Sequence, residues 1–287
     1  MKRCLPMVWL IALLFAFPLV MTGIGSLLSP NELQQTLFAG SARIVLIPNH
    51  ITLCCYAQLL IFSEGFLRAF WNSLVLVCVL TAGQTMVGMV SGYCLAKVRF
   101  PGRTQLLFLY LFTLLLPSQA TLVTGYIQMH SLRLLDSWAA VALPLLFTPL
   151  STLLFCFAVG HIPHELFEVT CLESQSFLVY LRHVVLPAVL PAAIAFMVFS
   201  FSQNWNLYEL PTVMIKATAL RPLSCLMNNG GYVPKEQIFA AAVLYMLPIL
   251  ALYALFSDHI KDGIVTREEI DIKYAKSNVG NPGFSDK

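Results

Sequence analysis

An all-α integral membrane protein with six transmembrane helices is the fold the sequence predicts, on three observations. The first is composition. Apolar residues make up 58% of the 287 positions and Asp, Glu, Lys and Arg only 11%, whereas a soluble domain carries about 25% charge to cover its surface. The second is a set of six apolar runs, 7–28, 70–96, 106–128, 138–159, 186–208 and 237–257. A helix of about 20 residues spans the hydrocarbon core, and lipid obliges the backbone to satisfy its own hydrogen bonds. The third is the placement of the 17 basic residues, 11 of which fall on the amino-terminal side of the membrane and 6 on the other. An excess of Lys and Arg marks the cytoplasmic face, so both termini are expected there. The same figures exclude a disordered chain, which needs low hydrophobicity with high charge. With 15 Gly and 8 Cys at this length, collagen and disulfide scaffolds are excluded too.

In chain order, Lys2 and Arg3 precede the first run. A secretory signal peptide also begins this way, but its apolar region is usually about 7 to 15 residues and ends at an A-x-A-like site. The run 7–28 is longer and has no clear site of that kind, so a retained span is expected. The stretch 29–69 is an outside loop holding Pro30, Pro48 and Asn49, turn formers that suit a packed surface segment. Residues 70–258 form a five-helix core, and 259–287 a charged cytoplasmic tail whose end is rich in Gly, Asn and Pro. The cysteines are scattered, with adjacent Cys54 and Cys55 and no CxxC, so neither a zinc ribbon nor a redox motif is supported. Cys78, Cys94 and Cys156 read as small apolar fillers within spans. The one pairing open to the outside thiols is a bridge from Cys54 or Cys55 to Cys225.

The inside loop at 160–186 is unusual. Pro163 suits the first turn of a helix, and Glu165 and Glu168 stand where carboxylates complement the helix dipole. Leu166, Phe167, Val169, Leu172, Phe177 and Leu178 then give the loop an apolar face at helical spacing. Such a face lies on the headgroup boundary, folds back on its own spans, or docks in the groove of a soluble partner.

The stretch IPHELFEVTCLESQSFLVYLRHVVLPAVLPA resembles the cytoplasmic coupling loop, or EAA loop, of ABC importer permeases of the carbohydrate and glycerol-phosphate uptake branch. Ile162, Pro163, Glu165, Leu166, Glu168, Ser176, Leu186 and Pro187 match that pattern in register. Phe70-Trp71-Asn72-Ser73-Leu74 resembles the entry to the second span in the same proteins, and Arg99-Phe100-Pro101-Gly102-Arg103 their inside turn. Leu116-Pro117, Leu134-Leu135-Asp136-Ser137, Trp205-Asn206 and Pro211 fall in order as well. Two departures stand out. Val169 and Thr170 replace the two alanines, and Glu173-Ser174 replaces Asp-Gly. Ser174 cannot adopt positive φ as cheaply as Gly, and the bulkier pair should hold the loop further from its partner's cleft.

The resemblance implies a type I importer permease fold and a transport subunit without enzymatic activity in the bacterial cytoplasmic membrane. The implied partners are a second homologous permease, a cytoplasmic ATP-binding subunit dimer and an extracytoplasmic solute-binding protein. It assigns ATPase coupling to Glu165, Leu166, Glu168, Val169, Thr170, Glu173 and Ser174. No GxxxxGK[ST] occurs, so ATP and Mg belong to the partner and this chain carries no cofactor. For a sugar or glycerol-phosphate solute, polar groups within spans are the natural path, because they are costly in lipid and face a cavity or a neighbouring helix. Gln119, Thr124, Asn204, Trp205, Asn206, Tyr208 and Glu209 are the candidates.

Two rivals come from other classes. The run His161-Ile162-Pro163-His164-Glu165 invites a metalloprotease reading, but HExxH needs a second His where Glu168 stands, and no third ligand follows. A stand-alone secondary transporter would show an internal repeat and intramembrane coupling acids. The spans hold almost no carboxylate and no half-to-half repeat is visible.

Overall fold

The structure, a computed structural model, describes residues 5–34, 51–163, 176–228 and 233–256. Among them no strand occurs. The helices are α1 (Leu5–Ser26), α2 (Pro30–Leu33), α3 (Cys54–Ala57), α4 (Glu64–Lys97), α5 (Arg103–Leu114), α6 (Ser118–Ser131), α7 (Trp138–Leu146) and α8 (Pro149–Gly160). They are followed by α9 (Phe177–Trp205), α10 (Glu209–Met214), α11 (Leu223–Asn228) and α12 (Lys235–Phe256). Four stretches are long and apolar enough to cross a membrane: α4, Trp138–Gly160, α9 and α12. A fifth exists if α5 and α6 together make one broken crossing, and the apolar part of α1, Ile11–Ser26, is shorter than these.

The run 106–128, expected as one continuous span, is interrupted between α5 and α6. Pro117 explains the break. It has no N–H to donate and drives Leu116 out of the helical region, so α5 ends and a new helix starts after Pro117 at ψ 135°. The fifth run begins earlier than its apolar residues suggest. Helix starts at Phe177 and passes through a π-helical turn, Leu181–Val185, into Leu186–Trp205. At the inside turn, Gly102 sits at φ 88° before α5, a conformation that Gly adopts without steric cost.

The chain forms two compact units. The first comprises Met1–Thr81, Leu116–Leu146 and Phe201–Ile249, and the second Ala82–Leu115, Phe147–Ser200 and Leu250–Lys287. In the first, Leu76, Leu80, Met129, Ala140, Val141, Met214 and Ile215 are buried together. The segment after α6 is fastened to that core through Asp136, whose N–H donates to the Met214 carbonyl at 3.0 Å. Its carboxylate accepts from the N–H groups of Lys216 and Ala217. Asp136 has φ 61°, a left-handed conformation that Asp and Asn tolerate better than other side chains. Asp136→Ala loses two acceptor contacts and adds backbone strain, so it is expected to destabilise the chain by about 2 kcal/mol. Asp136→Asn should cost less than half of that; thermal unfolding of the purified chain in detergent measures both.

The first unit also secures α2 and α3. Ser29 and Glu32 form a capping box, Tyr56 donates its hydroxyl to Ser26 Oγ at 2.8 Å, and the Gln34 amide donates to Glu236 Oε1 at 2.6 Å. Gln237 donates to Gln58 Oε1 at 2.8 Å. Cys55 and Cys225 are both buried free thiols, so no bridge joins the Cys54–Cys55 pair to Cys225. Cys55 lies against the Glu236 carbonyl, and Cys225 accepts from the Thr212 hydroxyl at 3.3 Å. Burial pushes both thiols above their ordinary range.

In the second unit, α4 and α8 approach so closely that only small residues fit. A Cβ at Gly88 would lie 2.6 Å from Ser151 Cβ, and one at Gly92 would lie 2.7 Å from the Cys156 backbone nitrogen. Beside this contact the hydroxyls of Ser91 and Thr152 hydrogen-bond at 2.8 Å. Close backbone approach through Gly-xxx-Gly with an interhelical hydrogen bond replaces the hydrophobic drive that lipid cannot supply. Further along, Phe155, Val159, Ile162, Tyr180, Val185, Val189, Ala193 and Phe196 form the buried cluster of this unit.

Candidate functional site: the loop root and the polar end of α9

The seven coupling residues, Glu165, Leu166, Glu168, Val169, Thr170, Glu173 and Ser174, lie outside the described residues; the roots of their segment are described. On the upstream side Val159 and Ile162 are buried, and Ile162 N–H donates back to the Val159 carbonyl at 3.1 Å. Lys97, in the last turn of α4, donates from Nζ to the Ile162 carbonyl at 2.6 Å. A cation suits that place, because the carboxyl end of a helix carries partial negative charge. Arg103 likewise donates to the Ala96 carbonyl at 3.2 Å. His161 is held on its own helix, Nδ1 lying 2.8 Å from the Phe157 carbonyl. On the downstream side Tyr180 is buried, and Phe177 packs edge-on against Tyr93 with ring centres 5.8 Å apart. Ile162 and Tyr180, which flank the 164–175 segment, are thus both buried in the core of the second unit.

Polar side chains bind α4 to α9 within each unit. In the second, the Ser200 hydroxyl donates to Gln84 Oε1, and both residues are buried. In the first, Asn204 Nδ2 donates to Thr81 Oγ1 at 3.4 Å. Such pairs are the hydrogen-bonding glue of helices in lipid.

The candidate path residues divide by accessibility. Asn204 and Trp205 are buried, Trp205 to 1% exposure. The Trp205 indole stacks on Phe201 with ring centres 5.9 Å apart, meets Phe70 edge-on at 5.8 Å, and donates its N–H to the Tyr245 carbonyl at 3.0 Å. Asn206 and Tyr208 are exposed and Glu209 is half-buried in the first turn of α10, where the helix dipole favours a carboxylate. Gln119 and Thr124 are exposed on α6, the Thr124 hydroxyl donating to the Thr121 carbonyl at 2.9 Å. The structure therefore gathers Asn204, Trp205 and Asn206 at the end of α9. No hydrogen bond among those described joins Gln119 or Thr124 to them.

Tyr245 is the residue at this place that sequence reasoning did not reach. It sits in α12 with its hydroxyl 3.0 Å from the Trp205 carbonyl oxygen and 3.1 Å from Asn206 Oδ1. The available signal was a single hydroxyl inside an otherwise apolar run, 238–252, since a polar tip in lipid needs a partner.

Among the described residues the chain is all-helical, with four or five stretches long and apolar enough to cross a membrane. No family model matches the chain. It is similar to the sn-glycerol-3-phosphate transport system permease protein UgpE of Yersinia enterocolitica, 27% identical over 212 residues that cover 72% of this chain and 75% of that one. The protein of the same name from Yersinia pestis is 26% identical over 267 residues, covering 90% and 93%. In fold it matches a bacterial ABC transporter involved in the import of the acidic polysaccharide alginate, with TM-score 0.78 and 18% identity over 90% of this chain and 95% of that one. The chain resembles ABC importer permeases in sequence over most of its length and shares their fold.

Proposed function

We propose that this chain is the membrane permease subunit of an ATP-driven importer in the bacterial cytoplasmic membrane, with six spans and both termini inside. It forms half of the translocation path for a sugar or glycerol-phosphate solute. It couples to a separate ATPase through the 160–186 loop, with Glu165, Leu166, Glu168, Val169, Thr170, Glu173 and Ser174 as the docking element. ATP and Mg reside on that partner. A second permease and an extracytoplasmic binding protein complete the assembly. The observation that carries this reading is the coupling-loop pattern on a segment whose two ends are packed into one core, through Ile162 and Tyr180. The glycerol-phosphate permeases among its relatives support the solute class. ATP-driven closure of the ATPase pair would move the docked loops and rock the two permeases about the solute.

Affinity purification of the chain from its native membrane, with mass spectrometry of what stays bound, tests this directly. A second permease and a Walker-type ATPase are expected in the eluate, with ATP hydrolysis. A chain that emerges alone after mild cross-linking, with uptake driven by an ion gradient, would instead make it a secondary transporter.

The orientation has its own test. Cys54 is exposed on α3 whereas Cys55 is buried. A membrane-impermeant maleimide added to intact spheroplasts is therefore expected to label the chain, and Cys54→Ser to remove the label. Labelling that needs permeabilised membranes would invert the topology.

A further inference from the structure

The contact of Tyr245 with Asn206 does more than close a gap between helices. Trp205 is the last residue of α9, and the last carbonyls of a helix have no partner within it. The Tyr245 hydroxyl lies 3.0 Å from the Trp205 carbonyl, and the Trp205 indole N–H returns to the Tyr245 carbonyl at 3.0 Å. This reciprocal pair fixes the tyrosine, with the two rings 5.6 Å apart. The single proton of that hydroxyl is shared, as a three-centre bond, between the Trp205 carbonyl and Asn206 Oδ1 at 3.1 Å, while Asn206 Nδ2 donates to the Ser202 carbonyl at 2.9 Å.

The Ser202 carbonyl can only accept, so it sets which end of the amide is nitrogen, and Oδ1 is left facing the hydroxyl. Asn206 is exposed, yet its side chain is held at both ends. An amide offers two N–H donors and two acceptor lone pairs. One of each is engaged here, and one of each remains, on a side chain whose orientation is already fixed. A fixed donor beside a fixed acceptor is the complement of two neighbouring hydroxyls, each of which can give and take a hydrogen bond. Holding it in advance removes the ordering cost that a free side chain would incur on binding.

We propose that Tyr245 is a positioning residue for transport, its hydroxyl orienting the Asn206 amide to receive a pair of hydroxyls on a polyol or sugar solute. This rests on the importer reading above. Tyr245→Phe removes the hydroxyl and keeps the ring, and leaves the indole bond to the residue 245 carbonyl in place. The experiment uses the whole importer, reconstituted with its partners in proteoliposomes. The probe is sn-glycerol 3-phosphate, or the solute that mass spectrometry finds on the co-purified binding protein.

Tyr245→Phe is expected to raise the KM for uptake by about 2- to 10-fold, the cost of ordering one released side chain, with a smaller change in kcat. Asn206→Ala should raise KM at least as much, and the double variant no further than Asn206→Ala alone, since the hydroxyl acts through the amide. An unchanged KM with a lowered kcat, a lowered unfolding temperature alone, or additive effects of the two variants would overturn the proposal and leave Tyr245 a packing residue. A wild-type assembly without ATP-dependent uptake of either probe would overturn the importer reading and this inference with it. A wild type that transports while Tyr245→Phe keeps its KM overturns this inference alone.

Discussion

Gly92→Val should strongly destabilise the folded chain. A Cβ there would lie 2.7 Å from the Cys156 nitrogen and 2.9 Å from the Phe155 carbonyl carbon, and backbone within a helix cannot step aside as a flexible side chain can. The helices would have to part. Parting them would stretch the 2.8 Å bond between Ser91 and Thr152 and loosen Phe155 from the cluster it shares with Val159 and Phe196. Overpacking of a well-filled contact costs about 1 to 3 kcal/mol, and more where the obstacle is rigid. With two extra methyl groups on top of the Cβ, a loss of about 3 kcal/mol or more is expected, a fall of about 6 to 12 °C in the apparent unfolding temperature for a chain of this size. Gly23 supplies the control. Nothing lies within 4 Å of a Cβ placed there, so Gly23→Ala should unfold at the wild-type temperature or slightly above, Ala being the better helix former. Equal stability of Gly92→Val and wild type in detergent would refute the close α4–α8 contact.

The second large effect is functional. Glu168→Ala is expected to reduce solute-stimulated ATP hydrolysis and uptake by at least about tenfold, a loss of about 1.4 kcal/mol or more in coupling, while the chain still reaches the membrane. Glu168 matches the acidic position of the coupling-loop pattern. The roots of its segment are firm, through Lys97 on the Ile162 carbonyl and the buried Tyr180. A change confined to the loop should therefore cut communication with the ATPase and spare the fold. The decisive comparison is hydrolysis by the assembled complex with and without solute. Wild-type stimulation in the Glu168→Ala complex would remove that residue from the docking element.

Much of the helical layout could be read from apolar run lengths alone, because a chain in lipid has few other ways to satisfy its backbone. The runs 138–159 and 237–257 nearly coincide with Trp138–Gly160 and Lys235–Phe256. Leu116-Pro117 was visible as a motif, and the consequence of its proline, a break in the third run, followed from proline chemistry rather than from hydropathy. Phe177 and Leu178 show helical spacing, but the continuity of that turn with the fifth run is masked by Arg182 and His183, which interrupt the apolar pattern. At the candidate site, polar residues near the end of α9 could be named in advance. Which of them stay accessible could not, because Trp205 is sealed by rings from distant positions, Phe70 and Tyr245. Pairings so far apart in sequence leave no local pattern. Gly88 and Gly92 did leave one, the four-residue spacing, which gains meaning only when its partner helix is known.

The tie between the outer segment and the start of α12 bears on how the protein is made. Gln34 pairs with Glu236 across 202 positions and Gln58 with Gln237 across 179. A ribosome adds about 5 to 20 residues per second. The α2 and α3 segment therefore waits on the order of 10 to 40 seconds after its own synthesis before its anchor exists. Until then Leu33, Cys55 and Leu59, all buried in the finished chain, have no completed core to enter. A helix made late, α12, thus closes over the α2 and α3 segment made near the start. Nascent chains arrested before residue 236 should be the ones that membrane chaperones and quality-control proteases hold longest.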